Sequence, residues 1–91
     1  MSEASQDIVI PNKRGLHARA SAKFVNAASA MEGHSVFVEK DEQEAAGGSI
    51  LGLMMLGAAM GDTVKIRVAG DDAQAKLAEL VTLVEGKFGE D

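Results

Sequence analysis

Residues 63–69 restrict the fold more than any other stretch of the chain. Val64, Ile66 and Val68 alternate with Lys65 and Arg67, the period-two pattern of a strand dry on one face and wet on the other. Such a strand excludes an all-helical chain. It also argues against a parallel sheet covered on both sides, whose strands read as unbroken apolar runs. An antiparallel sheet with helices on one face fits instead.

The neighbouring segments supply those parts. The apolar Ile8-Val9-Ile10, stopped by Pro11 and Asn12, predicts a short strand over 7–10 and then a loop to about Leu16. Ala20, Phe24, Ala27 and Met31 lie at helical spacing and predict a helix over 18–31, stopped by Gly33. Residues 35–40 and 43–46 read as a hairpin turning at Asp41-Glu42. Gly47 and Gly48 break the chain before Ser49, a natural N-cap, and a second helix over 50–60. After a turn at Gly70-Asp71-Asp72, with an Asp cap, Leu77, Leu80, Val81, Val84 and Phe88 form one stripe of a final helix. The expected fold is α+β, an open-faced β-sandwich in the order βαββαβα: a four-stranded antiparallel sheet with three helices on one face. Residues 1–91 are read as one domain.

Composition narrows the function. The formal net charge is −5, with three Phe and no Tyr or Trp, which argues against nucleic-acid backbones and base stacking. There is no Cys, so disulfides and thiolate metal sites are excluded. No apolar run approaches the roughly 18 residues of a bilayer span, and the first residues lack the pattern of a signal peptide. A cytoplasmic protein with no membrane insertion is expected. In this acidic chain Lys13, Arg14, Arg19 and Lys23 gather around His17, a local positive island suited to an anion.

His17 ends the first loop and opens the first helix. Helix starts expose unpaired backbone N–H groups and the positive end of the macrodipole, which together bind anions. A neutral imidazole there can attack phosphorus, with Ala18, Arg19 and the free amides holding the transferred group. On residue spacing alone the plainer reading of His17, a helix cap or a surface position, stands ahead of the nucleophile. A metal site is disfavoured: His34 is the only other histidine, and no acidic residue neighbours His17 in sequence. His34 itself reads as a turn or surface residue.

Gly15-Leu16-His17-Ala18-Arg19, followed by Ala20-Ser21-Ala22-Lys23-Phe24-Val25, resembles the active-site signature of the HPr family of histidine-containing phosphocarrier proteins. A second block, Gly48-Ser49-Ile50-Leu51-Gly52-Leu53-Met54-Met55-Leu56-Gly57, resembles that family's regulatory-serine helix at the usual separation. The resemblance covers about residues 5–88. It implies a carrier of the phosphoenolpyruvate-dependent phosphotransferase system, without cofactor or metal. Enzyme I would phosphorylate Nδ1 of His17, Arg19 would stabilise the group in transit, and an enzyme IIA protein would receive it. It also implies that Ser49 matches the serine on which a dedicated serine kinase/phosphorylase acts in some branches of the family. The carrier is expected to be a monomer, a covalent phosphohistidine intermediate rather than a free-standing enzyme. One departure is Ala20, where the family commonly has proline; a modest change in transfer rate is expected from it, with an extra N–H for the phosphate.

Apolar residues surround the second helix on all sides. Leu53, Leu56 and Met60 suit the core, leaving Ile50, Leu51, Met54 and Met55 as an exposed patch for partner docking. A rival reading is a regulatory module of the same fold that acts by protein–protein interaction alone. His17 and Arg19 disfavour it, although Ala20 and the run Leu53-Met54-Met55-Leu56 lean toward a nitrogen-related, regulatory branch. An unrelated α+β module that binds a small ligand or RNA is a second rival, and the acidic charge and the lack of aromatic platforms count against RNA.

Overall fold

In the computed structural model, which describes residues 2–90, seven main elements follow one another. They are β1 (Ser2–Val9), α1 (Ala18–Ser29), β2 (Ser35–Lys40), β3 (Gln43–Ala46), α2 (Ile50–Met55), β4 (Thr63–Gly70) and α3 (Ala73–Glu85). The strands pair antiparallel in the order β1-β4-β2-β3. Helices cover one face, giving the open-faced α+β sandwich expected from the alternation in β4. Among the described residues no helix is long and apolar enough to cross a membrane.

The register explains the core. Ala4, Val68 and Val36 share one rung, and Ile66, Val38 and Ala45 share another, so the apolar set of each strand lies on the same face. Leu77, Leu80, Val81 and Val84 of α3 and Phe24 of α1 are buried against it. The opposite face is polar, and there the Arg67 guanidinium lies 4.7 Å from the centroid of the Phe37 ring. Arg67 also pairs with Glu44. The hairpin turns at Asp41 and Glu42 with φ of 50° and 69°, the left-handed pair that a two-residue connection requires.

Five expectations are corrected. β1 begins at Ser2, not Asp7, because its polar first half finds a complete ladder on β4, from Ser2↔Gly70 to Val9↔Thr63. Pairing overrides weak local propensity there. α1 ends at Ser29, two residues before Met31, which is nevertheless buried. α2 stops at Met55; Met60 lies in the loop beyond it and is 56% exposed rather than in the core. α3 ends at Glu85, and Phe88 reaches the core from a separate 3-10 turn, Lys87–Gly89. Asp72 sits at the N-cap position of α3 but makes no side-chain cap bond. The Ser2 hydroxyl accepts the Ala73 N–H there, at 3.4 Å.

Candidate functional site

The loop between β1 and α1 is held from several sides. Ile10 N–H donates to Asp62 O at 2.9 Å and Leu16 N–H to Ala58 O at 3.0 Å. Asn12 is fully buried, and its Nδ2 donates to Gly15 O at 2.8 Å. Gly15 has φ +61°, and a Cβ there would lie 2.2 Å from Ala58 O, so close approach and backbone conformation both demand glycine. The Ser21 hydroxyl then donates to Leu16 O at 3.1 Å. These bonds fix the direction in which the chain delivers His17 to the helix.

His17 is the N-cap of α1, with extended backbone. The first ladder bond is Ser21 N–H to His17 O at 2.9 Å, so the amides of Ala18, Arg19 and Ala20 precede the ladder. His17 Nδ1 accepts the Arg19 N–H at 3.2 Å. An accepting Nδ1 carries a lone pair, which puts the ring proton on Nε2. The capping role and the nucleophile geometry therefore coexist in one side chain. Ala18 and Arg19 are exposed. No ion pair engages the Arg19 guanidinium among the described residues. Ala20 is fully buried, which closes its amide to an anion at rest and corrects the expectation of an extra phosphate donor.

An acidic residue that sequence proximity could not reveal completes the arrangement. Glu90 Oε1 lies 2.9 Å from His17 Nε2, and the two side chains are 18% and 13% exposed. Asn12 Nδ2 also reaches Glu90 Oε1, at 3.4 Å. The hydrogen bond with His17 does most to lower the pKa of the Glu90 carboxyl from its ordinary value, against partial burial, with smaller contributions from the charges of His17 and Lys23 and from the Asn12 contact. Lys23, one of the four basic residues grouped with His17 in sequence, donates from Nζ to Phe88 O at 2.7 Å. It thus anchors the turn that presents Glu90.

Ser49 caps α2, its hydroxyl accepting Gly52 N–H at 2.9 Å. On the same helix Ile50, Leu51, Met54 and Met55 are exposed, Leu51 at 68% and Met55 at 72%, while Leu53 is buried. α2 packs against α1, so the helix that Ser49 caps and the helix that His17 caps are neighbours. His34 stands apart from both.

The family model described as "PTS HPr component phosphorylation site" matches residues 4–86. The chain belongs to the HPr family. It is 45% identical over 85 residues to the phosphocarrier protein HPr of Neisseria meningitidis, covering 93% of this chain and 94% of that one. It is 39% identical over 90 residues to the phosphocarrier protein NPr of Shewanella violacea, with 99% and 98% covered. Among solved structures, the HPr-C-His crystal structure from Thermoanaerobacter tengcongensis matches with a TM-score of 0.87 and 44% identity, covering 100% of this chain and 99% of that one. The chain is thus a phosphotransferase-system phosphocarrier of the HPr type, with the fold that the family's solved members have.

Proposed function

We propose that His17 accepts a phosphoryl group from phosphorylated enzyme I on Nδ1 and passes it to an enzyme IIA protein. One observation carries this reading. The Nδ1 lone pair faces the start of α1, at the Arg19 amide. When Nδ1 bonds to phosphorus, that N–H loses its ring acceptor and becomes a donor for a phosphoryl oxygen. The exposed Arg19 guanidinium, without an ion pair among the described residues, supplies the positive charge that such a group needs in transit.

Because the group passes between two proteins, the nucleophile must be reachable and a docking surface must adjoin it. The exposed side chains Ile50, Leu51, Met54 and Met55 suit that docking, since methionine-rich surfaces adapt to several partners. Phosphorylation of Ser49 would set about two negative charges at the start of the same helix and repel an acidic partner. The carrier works as a cytoplasmic monomer in this reading. Its resemblance to a protein called NPr supports a regulatory, nitrogen-related branch as the second reading, with the same chemistry and a different acceptor.

The test is incubation with phosphoenolpyruvate and enzyme I, followed by assay for acid-labile, alkali-stable phosphate. Wild-type protein should be labelled and His17→Ala should not. Label on the mutant, or none on the wild type, rejects the relay. Adding separate enzyme IIA proteins then distinguishes the two branches.

A further inference from the structure

We infer that Glu90 is a positioning residue for phosphoryl transfer: its carboxylate fixes the ring of His17 and balances the charge the ring acquires when phosphorylated. The inference rests on the phosphocarrier reading above and concerns how this chain carries it out.

The two ring nitrogens of His17 face different partners. Nδ1 accepts the Arg19 amide at 3.2 Å, and Nε2 meets Glu90 Oε1 at 2.9 Å. A carboxylate can only accept, so it selects the tautomer with the proton on Nε2 and leaves the lone pair on Nδ1. It also sets the ring plane, which aims that lone pair. A carboxylate orienting a histidine in this way is the arrangement that keeps an imidazole in its reactive tautomer in acyl-transfer enzymes.

The charge balance gives the carboxylate a second role. In the transfer, the Nδ1 lone pair forms the N–P bond, and the bond from phosphorus to the donor protein breaks, its electron pair leaving with the donor. No proton leaves the ring, so the phosphorylated imidazole is a cation with its proton still on Nε2. That proton faces Glu90. When the group moves on, the N–P electron pair returns to Nδ1 and the ring is neutral again. A fixed anion at Nε2 therefore favours the charged, phosphorylated ring over the empty one. Glu90 lies at the nitrogen that does not react, leaving the Nδ1 side to the phosphoryl group and its donor. The chain invests in this placement: Lys23 Nζ holds Phe88 O at 2.7 Å, and Asn12 Nδ2 reaches the same oxygen of Glu90 at 3.4 Å.

Two variants separate the hydrogen bond from the charge. Glu90→Gln keeps an acceptor for Nε2–H without the charge, and Glu90→Ala removes both. In wild type, nitrogen NMR of the His17 ring should report a single Nε2–H tautomer. Glu90→Ala should show a mixture and accept phosphate from enzyme I about tenfold more slowly. Glu90→Gln should keep the tautomer yet hold less phosphate at equilibrium with enzyme I. Thermal unfolding checks that each variant is folded. A labelled wild type alongside a Glu90→Ala variant with the same tautomer and the same rate overturns the role of Glu90 alone. Absence of label on wild-type protein overturns the phosphocarrier reading and this inference with it.

Discussion

His17 Nε2 and Glu90 Oε1 meet at 2.9 Å across 73 positions of sequence. The meeting is arranged by the turn after α3, in which Lys87, Phe88 and Gly89 take φ of 58°, 55° and 76°. Left-handed backbone at two non-glycine residues costs on the order of 1 kcal/mol each. Burial of the Phe88 ring, 1% exposed, contributes about 2–3 kcal/mol in the other direction. The aromatic ring is thus the anchor of the turn, and the carboxylate is what it delivers.

Phe88→Ala should therefore act twice. Removing a buried phenyl ring lowers stability by about 3–5 kcal/mol, read as a fall in the urea midpoint. The freed turn should also release Glu90, so the His17 tautomer becomes mixed in conditions where the variant is still folded. A stability loss below about 1 kcal/mol would show that the turn is not anchored by its ring.

Gly15→Ala should be more damaging to transfer than its size suggests. Its Cβ would fall 2.2 Å from Ala58 O at a φ of +61°, so the loop must move away from its Leu16–Ala58 hydrogen bond. We expect a loss of about 2 kcal/mol or more, and at least a tenfold slower phosphorylation, since the loop sets the position of His17. Urea unfolding and the enzyme I assay read the two effects separately. A rate equal to wild type would show that the loop does not position the histidine.

The sequence carried the sheet, the helical cover and His17 itself, because these depend on local patterns. Alternation in β4 and helical spacing in α1 are visible within a few residues. What it hid depends on distant partners. The first half of β1 is polar and becomes a strand only through β4, and Glu90 is paired with His17 by a turn in which two of the three left-handed residues, Lys87 and Phe88, are not glycines. Met60 differs for a related reason: its apolar spacing continues that of α2, but Gly57 at φ 66° ends the helical path before it. Asn12 was legible as a turn residue but not as a fully buried amide bracing Gly15 and Glu90.

At Ser49, removal and imitation of charge should have different effects. Ser49→Ala loses the bond from Gly52 N–H and should cost about 1 kcal/mol, with little change in transfer. Ser49→Asp retains a capping acceptor and adds negative charge where α2 begins, so its stability should stay near wild type. Phosphorylation by enzyme I should nevertheless slow. Thermal unfolding combined with initial rates checks this, and equal rates for Ser49→Asp and wild type would remove Ser49 from the control of docking.

His34 provides a pH dependence separate from phosphate chemistry. Its Nδ1 lies 2.9 Å from Glu32 O and its Nε2 2.5 Å from Asp71 O. A neutral imidazole can donate to only one of two carbonyls, whereas the protonated ring donates to both. The carbonyl of Asp71, more than that of Glu32, raises the pKa of His34 above its ordinary value, against some burial and the charge of Lys76. A raised folded-state pKa means that the protonated ring stabilises the fold fully below the unfolded value, roughly pH 6.5. That contribution is lost as pH rises through the higher folded value. The staple joins the turn before β2 to the turn after β4, so its loss should loosen the α1–β2 and β4–α3 connections together. Comparing thermal unfolding of wild type and His34→Ala at pH 5.5 and pH 9 checks the sign. The deficit of the variant should be larger at pH 5.5 and shrink toward pH 9; a deficit that grows with pH would show that the neutral ring is the stabilising form.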